Sequence, residues 1–342
     1  MEPTSFQSSS KPISEYHYEP SSTYPKIRDK KKKPIFAVVA IAAILVVSGL
    51  SIVFIVFQNP EDEFDVISKE LDVLVNNINS KIEGGPKASL YSLAGGNFQS
   101  IPNEGNVAKY YVYYDGEKIG ETIEGTVGKE TYNGRSCYKM LGRSNVEFSY
   151  LEQTIAFQMI YAFYEDENTK MPVYMTIKYD YSKPEELKEF DMIISLSWDQ
   201  NSGEIKTSVQ CGEQTGTSTA ILPIEYWGMI SSVDDLYVGF SEEIDYTMTT
   251  SVSGTSSDSD MNLKISITGQ EDVTVPSGTF ENCYVLEMEQ TQSNGYSYSS
   301  TDVNMKIWIS EDGFVPQKET SLSSMGMPLS ITSKLEGYYT TI

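Results

Sequence analysis

Histidine, cysteine and arginine are scarce in this sequence, and their scarcity excludes several kinds of chemistry. The only histidine, His17, lies in the N-terminal tail. A Ser-His-Asp or Cys-His enzyme and a Cys/His zinc site are therefore excluded in the rest of the chain. The three cysteines, Cys137, Cys211 and Cys283, are an odd number, so they cannot form a fully paired disulfide scaffold. One disulfide remains open, but buried free thiols are the favoured interpretation.

Short catalytic and binding motifs are missing as well. The chain has no GxSxG, no P-loop and no GxGxxG at a strand–helix junction. Asp199-Gln200-Asn201 and Asp258-Ser259-Asp260 fall in expected hairpin turns, where carboxylates could bind Ca²⁺, but neither fits the EF-hand pattern. The sequence therefore predicts no catalytic, cofactor-binding or metal-binding residues, with calcium as the one open alternative.

Negative charge is abundant but unevenly distributed. The whole chain has a net charge of −23, whereas residues 1–34 hold seven basic and four acidic residues. The remaining residues carry 18 basic and 44 acidic side chains, a net charge of −26. A body this acidic repels nucleic acid, which excludes that class of partner.

A long apolar run near the N-terminus predicts a membrane-spanning helix. Residues Ile35 to Phe57 carry no charge. At about 1.5 Å per residue they extend about 34 Å, enough for a hydrocarbon core of about 30 Å. A buried core helix would be shorter and less uniformly apolar. We therefore assign a transmembrane helix to residues 34–58.

Charges on the two sides of this segment predict its orientation. Basic residues precede it and acidic residues follow it: Lys26, Arg28 and Lys30 to Lys33, then Glu61, Asp62, Glu63 and Asp65. The positive-inside rule then places the N-terminus in the cytoplasm. No small-residue cleavage site follows, so an uncleaved signal anchor fits best. We expect a single-pass protein of the cell membrane, with residues 1–33 as a disordered cytoplasmic tail and the C-terminal domain extracytoplasmic.

Residues 59–84 have the pattern of an amphipathic juxtamembrane helix. Asn59 and Pro60 suit an N-cap and a first helical position, and Gly84-Gly85-Pro86 ends the pattern. Apolar residues recur three and four apart, at Phe64, Ile67, Leu71, Leu74 and Ile78. The stripe is too short to predict a coiled coil. Packing on the chain's own β domain is thus favoured over a dimeric stalk, and the oligomeric state stays open.

After a linker over residues 85–107, residues 108–342 have the pattern of antiparallel strands. The hairpin-turn pairs are Asp115-Gly116, Asn133-Gly134, Asn294-Gly295 and Asp312-Gly313. Strand-like runs are Ile155–Tyr164, Val173–Tyr181, Asp191–Trp198, Ile205–Cys211, Tyr246–Ser253, Leu263–Thr268, Cys283–Gln290, Val303–Ile309 and Leu329–Leu335. The predicted fold class is mainly β, with an N-terminal transmembrane helix and a juxtamembrane helix followed by a large curled antiparallel meander.

Two stretches carry a family resemblance. They are Val273–Val285, VTVPSGTFENCYV, and Trp308–Val315, WISEDGFV. Together they resemble the lipoprotein-carrier group, which includes LolA- and LolB-like proteins and relatives of unknown function. The resemblance implies a half-barrel whose concave face holds apolar ligands such as acyl chains. The motif residues themselves look structural: Gly278 and Gly313 suit turns of positive φ, and Phe280, Cys283, Tyr284 and Trp308 suit a packed interior.

The expected function follows from the anchor and the resemblance. The carriers have a cleaved signal or a lipid anchor where this chain has a spanning helix, so fixed binding is implied rather than shuttling. We expect a membrane-anchored, non-enzymatic binding protein that holds a lipid, another apolar ligand or an envelope protein on the half-barrel. The alternatives are a structural or adhesive surface protein and a carboxylate-based hydrolase. The hydrolase would need two carboxylates about 5–10 Å apart across a cleft.

Overall fold

The structure is a computed structural model that describes residues 60–341. The segments 82–88, 91–99, 102–103, 151–152, 170, 213, 223–235, 253–254, 294–301 and 325–326 are not described. The predicted cytoplasmic tail (1–33) and the predicted transmembrane helix (34–58) lie outside the described residues. Within the part of the chain that the structure describes, no helix is long and apolar enough to cross a bilayer.

One α-helix and a series of strands make up the described part. The helix is α1 (Pro60–Asn76), and a short 3-10 helix covers Glu185–Phe190. The strands are β1 (Ile78–Lys81), β2 (Ser89–Leu90), β3 (Ser100–Ile101), β4 (Asn106–Tyr114), β5 (Glu117–Tyr132), β6 (Arg135–Tyr150), β7 (Gln153–Asp166), β8 (Pro172–Lys183), β9 (Met192–Asp199), β10 (Glu204–Cys211), β11 (Gln214–Ile221), β12 (Ser241–Val252), β13 (Thr255–Val275), β14 (Gly278–Ser293), β15 (Asp302–Ile309), β16 (Gln317–Ser324) and β17 (Met327–Thr341).

Strands β4–β17 form one antiparallel sheet that closes on itself. The hydrogen-bonded order runs from β10 to β17, continues with β4 and ends at β9. The two end strands, β9 and β10, lie side by side. At one end of this pair Gly203 N donates to Asp199 O at 3.0 Å, and at the other Gly212 N donates to Asp191 O at 3.4 Å. The result is a closed barrel of 14 strands, while β1 pairs with the end of β17 and β2 pairs with β3.

The predicted antiparallel meander is confirmed, but the predicted half-barrel is wrong because the sheet is closed. Neighbouring strands are rotated relative to each other in the same direction. This twist accumulates across the 14 strands, and the two edges of the sheet meet. Closure also removes the exposed edges that an open sheet would present. The pairing of β17 with β4 joins strands more than 200 residues apart in sequence, and no local pattern announces such a pairing.

Two hairpin turns have the geometry that their sequences predict. Asp115 and Gly116 have φ values of 48° and 79°, and Asn133 and Gly134 have φ values of 47° and 78°. Positive φ at both central residues defines a type I′ turn, whose twist matches that of the flanking strands. The predicted hairpins β4–β5 and β5–β6 are therefore confirmed.

Two strands of the barrel were not predicted from the sequence, and one predicted turn region is wrong. Strands β11 and β16, QTGTSTAI and QKETSLSS, lack an apolar alternation, and they are positioned by the ladders on both sides. The turn predicted at Asp258-Ser259-Asp260 is strand, because β12 and β13 stay paired as far as Val252 and Thr255. The many Ser and Thr side chains at the ends of β12 and β13 are typical of loops, which is why the sequence predicted a turn there.

The ladders define two faces of the sheet, since residues paired directly across strands point to the same side. One row contains Glu124, Gly142, Tyr161, Ile177 and Ile194. Tyr161, Ile177 and Ile194 belong to the largest cluster of buried apolar residues. We call this side the inner face. The alternating residues, such as Leu141 and Ile160, point to the outer face.

Helix α1 packs on the outer face of β5–β7. Its buried stripe (Phe64, Ile67, Leu71 and Leu74) shares one apolar cluster with Leu141, Ile160, Ala162, Tyr164 and Tyr174 of the sheet. Ion pairs at the edges join Lys139 Nζ to Glu70 Oε2 at 2.8 Å and Arg143 Nη1 to Asp72 Oδ1 at 2.7 Å. The stripe therefore packs on the chain's own β domain, as the favoured interpretation predicts.

The predicted boundaries around this helix need correction. The helix ends at Asn76 rather than at residue 84, because the chain from Ile78 onwards pairs with β17. The predicted linker over 85–107 contains the short strands β2 and β3, and the barrel begins at Asn106 with β4 rather than at residue 108. Of the apolar stripe, only Ile78 lies beyond Asn76, and one apolar residue does not distinguish a helix from a strand.

Candidate functional site

The motif that carries the family resemblance forms a packed corner. Gly278, with φ +145°, starts β14 after the β13–β14 turn, and Gly313, with φ +82°, lies in the turn after β15. From this hairpin tip Ser277 N donates to Leu335 O at 3.1 Å, so the tip is fastened to β17. The two glycines hold positive-φ positions, as their assignment to turns predicts.

The aromatic and cysteine residues of the motif fill this corner, which we call the hairpin corner. Phe280, Cys283 and Trp308 share an apolar cluster there with residues of β4 and β17, whereas Tyr284 packs against the inner-face core. Trp308 Nε1 donates to Glu271 Oε1. Burial, with the neighbouring Asp272 and Glu271, raises the pKa of the Cys283 thiol to about 12. The corner is thus packed, and its thiol is held in the protonated form at neutral pH.

The cysteines and the calcium candidates can be placed directly. All three cysteines are free thiols. Among the residues that the structure describes, no three His, Cys, Asp or Glu side chains converge on a possible metal position. Asp199 is occupied within its own turn, where Oδ1 accepts from Asn201 N at 2.9 Å and Oδ2 accepts from Ser202 Oγ at 2.9 Å. Asp258-Ser259-Asp260 lies in β13 and not in the turn that was predicted, because the ladder with β12 continues past it.

An open cleft of about 470 Å³ lies at one end of the closed sheet. It is formed where β5 and β7 begin and β6 and β8 end. Its apolar lining is Ile119, Val146, Ala156, Phe157 and Tyr181, and its polar lining is Asn145, Glu147, Gln158, Asp180, Ser182 and Lys188. An apolar wall beside a few polar groups is the usual make-up of a small-molecule site.

The ladder explains why apolar and polar residues separate in this cleft. Val146, Phe157 and Tyr181 are paired directly across β6, β7 and β8 and belong to the inner face. Asn145 and Gln158, one residue away, form the outer-face row, where Gln158 Nε2 donates to Asn145 Oδ1 at 2.8 Å. The cleft therefore straddles the end of the strands, and it offers aromatic and aliphatic surface on one side and amides on the other.

Tyr181 combines a ring in the cleft wall with a buried hydroxyl. Its ring centroid lies 5.8 Å from that of Phe157, and among the described residues its hydroxyl has no hydrogen-bonding partner. Burial raises the pKa of Tyr181 above its usual range. The hydroxyl is therefore neutral at physiological pH and enclosed in the barrel, so Tyr181 contributes its ring to the cleft.

Both carboxylates of the cleft are held by lysines. Glu147 Oε2 lies 3.0 Å from Lys183 Nζ, and Asp180 Oδ1 lies 3.0 Å from Lys178 Nζ. A hydrolytic general acid instead needs a carboxyl group whose surroundings keep it protonated near neutral pH. Both carboxylates of the cleft are therefore engaged in ion pairs at its polar side.

A second polar group lies inside the sheet. Tyr161 Oη donates to Glu124 Oε1 at 2.7 Å, and both side chains are buried. Burial, followed by the nearby Glu124 carboxylate, raises the pKa of Tyr161 well above its usual range. Gly142 lies between the two residues in the ladder and leaves room for the tyrosine ring. This group is enclosed, so we assign it to the architecture of the barrel.

The cleft was not predicted from the sequence. Its residues come from four strands and the 3-10 helix, and each reads as ordinary strand or surface by itself. The register of β6–β8 would have been the only signal, and register depends on long-range pairing. The predicted motif residues do come together in space, but they lie at the opposite end of the sheet. Along β14, the motif residues lie between Leu286 and the β13–β14 hairpin tip. The ladder connects Leu286 to residues of the strands that form the cleft, and the cleft lies toward the opposite end of those strands.

Comparison with known proteins gives structural similarities only. No family model and no curated protein matches the sequence. A structure from Parabacteroides distasonis described as a lipoprotein covers 70% of this chain and 96% of its own, with 12% identity and a TM-score of 0.30. An exported protein with a YmcC-like fold from Bacteroides fragilis covers 73% and 99%, with 11% identity and a TM-score of 0.29. A β-barrel-like protein of a domain of unknown function, DUF1849, from Brucella abortus covers 71% and 100%, with 10% identity and a TM-score of 0.38.

Proposed function

We propose that this chain is a membrane-anchored, extracytoplasmic binding protein without enzymatic activity, and that it holds an apolar ligand or an envelope component in the cleft. The observation that carries the proposal is the open cleft of about 470 Å³ with an apolar inner-face wall. Its volume falls within the range of about 300–1,000 Å³ typical of ligand sites. The amides of Asn145 and Gln158 would orient a polar group of the ligand.

The position of helix α1 indicates which way the cleft faces. Glu63, near the start of α1, lies close to Lys139 and Glu130, toward the β5–β6 hairpin. The predicted transmembrane helix would end two residues before Pro60, so that end of the sheet would lie beside the bilayer. From Lys139 to Val146 of the cleft, β6 advances seven residues, or about 23 Å. The cleft would therefore face away from the membrane and receive its ligand from the extracytoplasmic side.

Two features support a binding role over catalysis. Outside the N-terminal tail the chain has no histidine, and the carboxylates of the cleft are each paired with a lysine. An adhesive or structural role is the alternative that would use the outer surface of the sheet instead of the cleft. We propose no cofactor and no metal for the bound state.

A dye-binding experiment tests the proposal. Residues 60–342, checked for folding by circular dichroism, would be titrated with N-phenylnaphthylamine, an uncharged apolar dye that fluoresces when it is bound. Ser182 is exposed at the cleft, so Ser182→Trp would fill part of it without burying new groups. We expect saturable binding that weakens about tenfold or more in this variant. Ser241→Trp, at an exposed serine at the start of β12, is the matched control and should leave the affinity unchanged.

Two results would contradict the proposal. Absence of saturable binding would favour the adhesive alternative, and equal weakening by both tryptophans would place the dye elsewhere. The anchor has its own test, because protease added to intact cells should digest the β domain while it leaves the lysine-rich tail protected. Digestion of the tail and protection of the domain would reverse the proposed orientation.

A further inference from the structure

The polar side of the cleft contains two amide side chains in direct contact, and we call them the amide pair. Asn145 and Gln158 are paired across β6 and β7, and both line the cleft. Gln158 Nε2 donates to Asn145 Oδ1 at 2.8 Å. This bond uses one amide group of each side chain. It leaves the Gln158 Oε1 carbonyl as an acceptor and the Asn145 Nδ2 group as a donor, on neighbouring strands.

An acceptor and a donor side by side match the backbone of an extended peptide. In a hydrogen-bonded pair of antiparallel residues, each residue presents its N–H and its C=O to the same side and exchanges both bonds with its partner. The N–H of one ligand residue can therefore donate to Gln158 Oε1, while the C=O of the same residue accepts from Asn145 Nδ2. A hydrocarbon chain offers neither group, so the amide pair would contribute nothing to its binding.

The charged groups around the amide pair favour an uncharged ligand segment. Glu147 Oε2 lies 3.0 Å from Lys183 Nζ, and Asp180 Oδ1 lies 3.0 Å from Lys178 Nζ. The protein thus compensates both carboxylates of the cleft with its own lysines. Lys188, the cation among the lining residues, is exposed to solvent. A neutral peptide unit that enters the cleft therefore meets no uncompensated carboxylate.

The apolar wall of the cleft lies next to the amide pair. Val146 and Phe157, each one residue away from a member of the pair, are buried and expose little surface. Ile119 is half-buried, so it has more apolar surface for a ligand to cover. Side chains of an extended chain stand perpendicular to its backbone hydrogen bonds. A ligand residue fixed by the amide pair can therefore direct its side chain to this wall.

We infer that the cleft binds a short extended peptide segment, with the N–H and C=O of one ligand residue on Gln158 and Asn145 and an apolar side chain of the ligand against Ile119. The inference deepens the proposed function and rests on it, since it specifies the envelope component as a segment of protein chain. The open cleft of about 470 Å³ lets such a chain enter and leave at its rim.

Backbone-modified peptides test the inference. The full chain in lipid nanodiscs would be titrated with blocked pentapeptides Gly-Ser-X-Ser-Gly that carry an uncharged fluorophore, and binding would be followed by fluorescence anisotropy. With Phe or Leu at X we expect saturable binding, about threefold or more tighter than with Ser. The peptide amides would then be N-methylated one at a time, which removes a single N–H. We expect one position to weaken binding about five- to tenfold and the others to have little effect.

Two glutamine variants give the matched comparison. Gln158→Met keeps the size of the side chain and removes the acceptor, so it should weaken binding about five- to tenfold. It should also abolish the effect of the sensitive methylation, because both changes remove the same hydrogen bond. Gln317→Met is the control, since Gln317 is also half-buried and lies on the same outer-face row, but on β16, about 24 Å along the sheet. Thermal unfolding of each variant would show that the fold is kept.

The outcomes separate the inference from the proposed function. Equal binding of all the methylated peptides, or equal losses in the Gln158 and Gln317 methionine variants, would overturn the peptide site. Absence of peptide binding, with dye binding still sensitive to Ser182→Trp, would also overturn it and would leave an apolar cleft. The absence of both peptide binding and dye binding would overturn the proposed function itself.

Discussion

The contact between Gly142 and Tyr161 makes the sharpest prediction about stability. The two residues are paired across β6 and β7, and the tyrosine ring lies over the glycine. A Cβ atom at position 142 would lie 2.0 Å from Cζ and 2.3 Å from Oη of Tyr161. The ring has no room to retreat, because only 2% of the tyrosine is exposed. Gly142→Ala must therefore displace the ring and break its hydrogen bond to Glu124.

The cost of this substitution has two parts. Overpacking a closed core costs about 1–3 kcal/mol. Loss of the hydrogen bond to the Glu124 carboxylate costs about 1.5–3 kcal/mol, since the second carboxylate oxygen already has no partner among the described residues. We expect Gly142→Ala to lower the free energy of unfolding by about 3–5 kcal/mol, which corresponds to a melting temperature roughly 6–15 °C lower for a domain of this size.

Urea unfolding of residues 60–342, followed by tryptophan fluorescence, measures the effect. Gly269→Ala is the matched control, because no atom lies within 4 Å of a Cβ built there and the position has no positive φ. It should change the free energy of unfolding by less than about 0.5 kcal/mol. Tyr161→Phe, which removes only the hydroxyl, should cost about 1.5–3 kcal/mol by itself.

A double-mutant cycle decides whether the reasoning is right. In a Tyr161→Leu background the ring that causes the clash is gone, so Gly142→Ala should cost less than about 1 kcal/mol. The coupling energy between the two positions would then be about 2–4 kcal/mol, a value expected only of residues in direct contact. If Gly142→Ala costs the same in both backgrounds, the steric explanation is refuted.

Three further predictions concern the helix, a thiol and a tyrosine. Leu71→Ala, at a fully buried position of α1, should lower the free energy of unfolding by about 2–5 kcal/mol, whereas Val73→Ala on the exposed side should change it by less than about 0.5 kcal/mol; equal effects in thermal melts would refute the docking of α1. Because the pKa of Cys283 is raised to about 12 by burial, maleimide at neutral pH should label Cys283 only after unfolding, and labelling as fast as that of half-buried Cys211 would contradict this. Burial raises the pKa of Tyr174 to about 12. The neutral tyrosine therefore contributes fully to stability below about pH 10, where the unfolded residue ionises, and this contribution is lost as the pH rises toward 12. In urea midpoints between pH 9 and 12, the stability of Tyr174→Phe should fall less steeply than that of the unchanged protein, by up to about 1.4 kcal/mol per pH unit, and identical slopes would refute the prediction.

The parts of the fold that were predictable are those set by local chemistry. Asn133-Gly134 required a type I′ turn because both positions tolerate positive φ, and the structure has it. The stripe on α1 predicted a buried face because its spacing matches the turn of a helix. In β7 and β8, dense apolar and aromatic residues predicted strands that tertiary packing then buried on both faces.

The parts that were not predictable depend on register and closure. β16, QKETSLSS, looks like surface loop, yet two ladders make it a strand and place Lys318 on the inner face. A shift of one residue in register would have put that lysine on the outer face. The cleft has the same origin, because Val146, Phe157 and Tyr181 meet only when three strands are aligned.

The residues that carry the family resemblance and the residues of the cleft lie at opposite ends of the sheet. The hairpin corner, built from Gly278, Phe280 and Cys283, lies at the end toward which the predicted anchor points. The cleft lies at the other end. With the proposed anchor and orientation, the cleft would be open to the extracytoplasmic side. A fixed anchor and a ligand cleft would then be compatible, because the proposed protein would meet its ligand without leaving its membrane.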